Sequence, residues 1–250
     1  MAAARNAGLL VPVSRPDQSS FHFVHRWTAR AIAELHPDTA QEAHRRAAAF
    51  WHWRVDTIPQ SGQDNIDQLL EARYHHYAAG QADQAMAAHM DAVIQLQTWG
   101  QYGRATELCR ETLTWLTPGS PDAAATEGTL GILAQVRGDY DSAEPLYRRA
   151  LDIRERIGDQ AGIATSYAAL GILSETAGKL DEAVAYCVSA LAIRLRIGTA
   201  TARDVQPLTG LRRQLGRDRF RAAAVASGLD EESAASLMTM LDQQEEAAGN

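Results

Sequence analysis

The side chains with the most obvious potential for chemistry are eight histidines, which occur at irregular spacing. His22 and His25 are three residues apart, and His75 directly precedes His76. A metal site needs three or four converging ligands, and no HExxH or paired-cysteine motif accompanies these histidines. The pattern therefore predicts surface and interface histidines, with no metal ion and no cofactor.

The two cysteines lack the neighbours that would make either of them a nucleophile. Cys109 and Cys187 are far apart in the chain, and neither belongs to a CxxC motif. Isolated cysteines on helical segments are typical of small buried hydrophobic residues in a reducing cytoplasm. No Ser–His–Asp or Cys–His arrangement has supporting context. We therefore predict no catalytic residue and expect that the chain is not an enzyme.

An arginine cluster near the C-terminus raises the question of nucleic-acid binding. Such a surface would combine the cluster with a net basic domain, whereas the formal charge is −7. Residues 222–250 hold six acidic and no basic residues, which leaves 24 basic against 25 acidic residues elsewhere. We therefore expect no nucleic-acid partner, arginines that pair within the molecule or with a protein partner, and a solvated, frayed acidic tail. The cluster comprises Arg212, Arg213, Arg217, Arg219 and Arg221.

The composition indicates that helices position these residues. Hydrophobic residues make up 46% of the chain and aromatic residues only 6%. Alanine accounts for much of the difference, and it is the best helix former. No apolar stretch reaches the length of a membrane span, and residues 1–10 do not resemble a signal peptide. We therefore expect a cytoplasmic protein with no membrane partner.

An internal repeat with a 40-residue offset organises the middle of the chain. An LGIL sequence at residues 130–133 recurs at 170–173, and an IRxRIG sequence at 153–158 recurs at 193–198. Apolar residues within each copy recur every three or four positions until a glycine ends the run. Each copy therefore predicts a helix, a tight turn and a second helix. We expect the arginines of the IRxRIG sequence to be surface features of the second helices.

Small residues predict how the helices of each copy cross. Gly131 and Ala143 would let the two helices approach closely, and their counterparts 40 residues later would do the same. Asp141 with Glu144 is a candidate capping pair for the second helix. One hairpin cannot bury its apolar faces alone, so neighbouring hairpins must stack.

These residues resemble the tetratricopeptide repeat (TPR) family. Its pattern of Leu-Gly, Gly-x-Tyr, Ala, an aromatic residue and Ala corresponds to the following positions of the first copy: Leu130, Gly131, Gly138, Tyr140, Ala143, Tyr147 and Ala150. Cys187 takes the place of the aromatic residue in the second copy. The 40-residue period resembles the longer-helix variety found in kinesin light chains and bacterial regulators. The resemblance implies an all-α fold, a right-handed superhelix of antiparallel helical hairpins (a TPR-like α-solenoid).

We expect the chain to have three parts. Residues 1–62 would form an N-terminal lead-in with helices, residues 63–228 a TPR-like repeat array, and residues 229–250 a capping helix with an acidic tail. Residues 21–35 are a helix candidate in the first part. For the whole chain we expect about twelve helices and no strand. Asp230 or Ser233 would cap the last helix, which would bury Leu237, Met240 and Leu241.

Residues 21–35 carry a second resemblance. They are similar to the end of the winged-helix element in bacterial signal-transduction NTPases of the STAND (NB-ARC-type) class, where such a segment joins the nucleotide-binding module to a repeat sensor. The segment around Gly216 resembles the closing piece of those arrays. No GxxxxGK[ST] sequence is present, so we expect no ATP chemistry here. The resemblance implies the sensor portion of a longer protein, or a standalone relative.

The family resemblance also implies a binding groove lined by the first helix of each copy. Ile132 and Ile172 stand where family members that hold a terminal carboxylate place Asn, so we expect no carboxylate clamp. A small-residue, apolar groove favours an amphipathic helix or an apolar peptide segment as the ligand. The predicted groove residues are Gly128, Ile132, Gln135, Val136, Ala168, Ile172, Glu175 and Thr176.

The leading functional hypothesis is a non-enzymatic protein–protein or peptide interaction module, a sensor or scaffold in a bacterial signal-transduction or defence regulator. One alternative is a peptide-pheromone-binding transcriptional regulator, which a helix-turn-helix in the full gene would indicate. The other alternative is a helical domain that binds a small molecule.

Overall fold

The computed structural model describes residues 10–15, 18–23, 37–57 and 62–249. The chain divides into two compact units, Met1–Gly100 and Gln101–Asn250. The three parts expected from the sequence, residues 1–62, 63–228 and 229–250, stay a prediction. The described part of the chain is predominantly α-helical, as predicted, and none of its helices is long and apolar enough to cross a membrane.

The first unit contains a short antiparallel pair of strands, so the prediction of no strand was wrong. Strand β1 spans Leu10–Arg15 and strand β2 spans Gln18–Phe23, with Leu10 opposite Phe23 and Arg15 opposite Gln18. Valine in β1 and phenylalanine in β2 are residue types that favour strands. The helix expected at residues 21–35 therefore begins inside β2, and its residues 24–35 lie outside the described part.

Three helices follow in the described residues of the first unit. Pro37 opens helix α1, where proline is favoured because its missing N–H has no intrahelical partner. Helix α1 packs on α2, and α2 packs on α3. Gly80, with φ of +73°, forms the turn between α2 and α3. The bounds are Pro37–Thr57 for α1, Gly62–Ala78 for α2 and Ala82–Thr98 for α3.

The second unit consists of eight helices in its described residues. The two repeat copies form the antiparallel hairpins α5–α6 and α7–α8. The bounds are Tyr102–Trp115 for α4, Pro121–Val136 for α5, Tyr140–Ile157 for α6, Gln160–Thr176 for α7, Leu180–Arg196 for α8, Ala202–Leu215 for α9, Arg217–Ala226 for α10 and Glu231–Gly249 for α11.

The turns inside the two hairpins have the same geometry. Gly138 and Gly178 have φ of +77° and +74°, the left-handed region in which glycine is least strained. The amide after each glycine donates to a carbonyl five residues earlier, from Asp139 to Ala134 and from Lys179 to Ser174. This is the Schellman arrangement, and it ends the first helix of each copy as predicted.

Close crossings within the hairpins are confirmed. A Cβ added to Gly131 would lie 2.6 Å from the Tyr147 ring, and one added to Gly171 would lie 2.6 Å from Cys187 Sγ. Ala143 is fully buried at the same crossing. Both cysteines of the chain are free and buried, as expected of small hydrophobic side chains.

The helix caps agree with the sequence analysis in one case and differ in another. Asp230 caps the last helix, because its Oδ1 accepts from the Ser233 amide at 2.7 Å. The prediction that Asp141 caps α6 was wrong. Asp139 occupies that position and accepts from the Ser142 amide at 3.2 Å. The reason is that α6 begins two residues after the turn glycine, which places Asp141 inside the first helical turn.

The arginine cluster is paired within the molecule, as predicted. Arg212 is buried and binds Asp242 and Glu245 of α11, so the expectation of a frayed, fully solvated acidic tail was wrong for these two residues. The last helix also buries Met238 rather than Met240. The remaining pairs are Arg213 with Glu245, Arg217 with Asp242, Arg219 with Asp181 and Arg221 with Glu231.

Candidate functional site

The candidate site lies on α5 and α7, the first helices of the two hairpins, which contact each other. Ile132 and Val136 on α5 are 47% and 54% exposed, and Ile172 on α7 is 46% exposed. Ile132 and Ile172 occupy equivalent repeat positions. The two helices thus present large apolar side chains to solvent at matching places.

Both helices are apolar on two sides. Leu133 and Leu173 follow the exposed isoleucines and are buried. Residues four apart share a helix face, so Ile132 and Val136 form one outward stripe. The packing of the hairpins does not use this stripe, which leaves it available for contact with another molecule.

The polar residues predicted for the groove form hydrogen bonds within the protein. Gln135 accepts from the Tyr147 hydroxyl at 2.8 Å, and burial raises the pKa of Tyr147 to about 12. Glu175 accepts from the Gln214 side-chain amide of α9 at 2.7 Å. The Thr176 hydroxyl donates to the Ile172 carbonyl at 2.9 Å. These bonds orient the rim of the surface.

The smallest predicted groove residues lie deeper. Gly128 is buried and Ala168 is half-buried. The eight predicted residues thus fall on two contacting helices, with a small-residue floor, half-buried Gln135 and Glu175, and the exposed side chains Ile132, Val136, Ile172 and Thr176. We define these eight residues as the α5–α7 groove.

One charged residue beside the groove was wrongly expected to be a surface feature. Arg154 of α6 is half-buried, and its Nη1 donates to the Gly162 carbonyl at 3.2 Å and to Ser166 Oγ at 2.7 Å, both on α7. Its Nη2 lies 3.6 Å from the place of a Cβ on Gly128. The guanidinium therefore lies between α5 and α7. The one sequence feature that could have indicated this role is that the same arginine recurs in the second copy as Arg194.

Arg194 makes the corresponding contact one repeat later, but with a different partner. Its guanidinium forms an ion pair with Asp204 of α9, whose side chain is 7% exposed. The neighbouring arginine of the motif behaves differently, since Arg156 is exposed and pairs with Asp152 on its own helix. The first arginine of each IRxRIG sequence thus connects its repeat to the next first helix.

Histidines form two side-chain pairs between α1 and α2 of the first unit. His44 Nδ1 lies 2.7 Å from His75 Nδ1, and His52 Nδ1 lies 3.3 Å from His76 Nε2. Burial, together with the nearby His44 and His76, lowers the pKa of His75 to about 4. Within the described residues, no group of three or more His, Cys, Asp or Glu side chains is placed to hold a metal ion.

No activated nucleophile accompanies the α5–α7 groove in the described residues. Cys187 is buried, and this burial raises the pKa of its thiol to about 12. A thiol with so high a pKa is a weak nucleophile at neutral pH. The arrangement around the groove is suited to apolar contact and hydrogen bonding.

An open cleft of about 440 Å³ lies between α8, α9 and α11. Its apolar lining residues are Leu191, Leu195, Ala200, Ala202, Val205 and Met240.

Comparison with known proteins supports the repeat assignment. Residues 122–196 match the tetratricopeptide repeat family model. The structure is similar to that of BtubC (BKLC) from P. vanneervenii, with a TM-score of 0.59 and 18% identity, over 86% of this chain and 87% of that one. It also matches nearly identical TPR-like repeats of the kinesin light chain type from Podosopora anserina, with a TM-score of 0.45 and 16% identity, over 83% and 97%. No curated protein sequence matches.

The chain therefore carries tetratricopeptide repeats in an all-α fold of the solenoid class. The matched residues extend from the start of α5 to the end of α8, so they comprise the two hairpins that form the α5–α7 groove. Repeats of this kind are in general scaffolds for protein–protein interaction rather than enzymes.

Proposed function

We propose that the chain is a non-enzymatic interaction module whose α5–α7 groove binds an amphipathic helix or an apolar peptide segment. The observation that carries this proposal is the exposure of Ile132, Val136 and Ile172 on two contacting helices whose opposite sides are packed. Apolar side chains aligned along a groove are suited to the i, i+3 and i+4 anchors of an amphipathic ligand. The apolar area removed from water would provide most of the binding free energy.

The same proposal extends to biological context. We place the module in the cytoplasm, as the sensor part of a bacterial signal-transduction or defence regulator of the STAND class. Two observations support this. Residues 21–35 resemble the end of a winged-helix element, and the strands Leu10–Arg15 and Gln18–Phe23 pair in the antiparallel manner of a wing. A P-loop encoded upstream in the full gene would support the placement, and a helix-turn-helix there would favour a transcriptional regulator instead.

Ligand binding in this groove would act on the packing of the hairpins. A ligand that contacts α5 and α7 together favours the arrangements in which both helices reach it. In a repeat array each hairpin contacts mainly its neighbours, so such a shift passes to the next hairpin. Gln214 of α9, which donates to Glu175 at the groove rim, provides one such connection.

The test is a paired substitution in the groove. Ile132→Glu with Ile172→Glu places two charges on the proposed contact surface, and we expect affinity capture of the partner from the native host to be lost. The matched control is Ile157→Glu, because Ile157 is 42% exposed but lies on α6, outside the groove. Capture that survives the double substitution, with unchanged helicity by circular dichroism, would exclude the groove as the site.

The cleft between α8, α9 and α11 favours a second candidate function, the binding of a small apolar ligand. Its volume and apolar lining are the observations that favour it. Leu195→Asp would then abolish binding of an apolar fluorescent probe such as anilinonaphthalene sulfonate, whereas Ile132→Glu with Ile172→Glu would leave that binding unchanged. Equal probe binding by the wild-type protein and Leu195→Asp would exclude this candidate.

A further inference from the structure

Arg154 has no acidic partner within ion-pair distance among the described residues, although its guanidinium lies between two helices. Its donors on Nη1 go to the neutral Gly162 carbonyl and Ser166 hydroxyl. The nearest acid, Asp159, uses Oδ1 to accept from the Gly162 amide at 2.9 Å and caps α7. Burial lowers the pKa of Arg154, which Asp159 offsets in part.

The next repeat contains the same arginine with a counter-ion. Arg194 pairs with Asp204, the third residue of α9, and Arg154 donates to Ser166, the seventh residue of α7. A carboxylate thus neutralises the guanidinium in the second copy, whereas the first copy offers it a hydroxyl and a carbonyl oxygen.

The guanidinium of Arg154 packs against Gly128 of α5. Gly128 has no side chain, and Nη2 of Arg154 lies next to the place where its Cβ would be. Ile132 is one helical turn further along the same face of α5. An acidic group that reaches Arg154 would therefore have the exposed apolar stripe of the α5–α7 groove beside it.

We propose that Arg154 is the recognition residue for an aspartate or glutamate side chain of the peptide that the α5–α7 groove binds. A guanidinium can accept a carboxylate in a paired, charge-assisted hydrogen bond, which is stronger than a bond to a neutral group. The ligand would carry this acid about one helical turn from the apolar residues that contact Ile132 and Ile172. The inference rests on the proposed groove function and specifies its ligand.

The experiment begins with selection of amidated peptides from a random display library on the full chain. We expect the selected sequences to combine an apolar stripe with one enriched acidic position. A family of binders without acidic enrichment would overturn the role of Arg154. Failure to select any peptide, or binding that is insensitive to Ile132→Glu with Ile172→Glu, would instead overturn the groove function.

The decisive measurement is a double-mutant cycle on the tightest selected peptide. Arg154→Gln should weaken the binding of this peptide by at least about tenfold and leave the binding of its Glu→Gln or Asp→Asn version unchanged. Arg154→Lys should restore part of the loss. The matched control Arg156→Gln, two residues away and exposed, should bind like the wild type.

Three results would contradict the proposal. Equal weakening of the acidic peptide and its amide version by Arg154→Gln would assign Arg154 a structural role only. Loss of binding in Arg154→Gln together with a lower melting temperature would point the same way if Arg154→Lys restored the melting temperature without restoring the preference for the acid. A preference for free over amidated C-termini, with no effect of the acidic side chain, would indicate a terminal carboxylate instead.

Discussion

Arg212 of α9 donates from Nη1 to Oδ1 of Asp242 on α11, at 2.7 Å. The arginine is only 6% exposed, and it also binds Glu245. Arg217 donates to both oxygens of Asp242 at 3.0 Å. Ion pairs therefore connect the last helix to the array, and its buried residues Leu237 and Leu241 pack in the core.

Removal of the two acids that bind Arg212 should detach the last helix. Asp242→Asn with Glu245→Gln leaves a buried guanidinium without a counter-charge, which destabilises a fold strongly. We expect a clearly lower melting temperature and faster amide exchange in α11. Glu231→Gln is the control, because Glu231 and its partner Arg221 are both largely exposed, and exposed pairs contribute little. Equal melting temperatures for the two variants would contradict this account.

Gly131→Ala tests the crossing of α5 and α6. The new Cβ would lie 2.6 Å from the Tyr147 ring, so the ring or one of the helices must shift. We expect a loss of about 1–3 kcal/mol in the free energy of unfolding, measured by chemical denaturation. Gly210→Ala is the matched control within α9, where a Cβ meets nothing within 4 Å. Higher helix propensity should stabilise that variant by about 0.5–1 kcal/mol. A neutral Gly131→Ala would disprove the close crossing.

The stability of the first unit should decrease as the pH is lowered. Burial lowers the pKa of His75 and of His89 to about 4, from the model-peptide value of 6.5. Between these values the unfolded chain binds more protons than the folded one, so stability is full above pH 6.5 and decreases towards pH 4. Each histidine should contribute on the order of 3 kcal/mol over that interval.

The measurement is the free energy of unfolding of the first unit, determined at pH 7.5 and at pH 5. His89→Gln should reduce the difference between the two values, because glutamine does not titrate in this range. A free energy that is the same at both pH values would mean that these histidines are not shielded in the folded protein.

Local patterns in the sequence were enough to predict the hairpins but not the contacts between successive repeats. Apolar periodicity and turn glycines such as Gly138 and Gly178 specify each helix and its end. Arg154 depends on Ser166, a residue of the next helix, and the placement of these two together follows from how the hairpins stack. The same holds for Asp242, whose partner Arg212 is thirty residues earlier. The strands at residues 10–23 are short, and two six-residue segments give little periodicity.

The repeat in the sequence predicts the position of the groove. It does not predict the hydrogen bonds that the groove residues form. The equivalence of Ile132 and Ile172 placed both residues on first helices, where the structure has them exposed. Nothing in the sequence indicated that Gln135 would accept from Tyr147 or that Glu175 would accept from Gln214. These bonds depend on side-chain geometry across helices, which periodicity does not encode.

The central claim is that ligands bind across α5 and α7, and methyl NMR of isoleucine-labelled protein tests it most directly. Titration with a selected peptide should shift the methyl signals of Ile132 and Ile172, while those of Ile94 and Ile157, which are also exposed, stay in place. Shifts at Ile94 or Ile157 with unchanged signals from Ile132 and Ile172 would place the binding surface elsewhere and contradict the account.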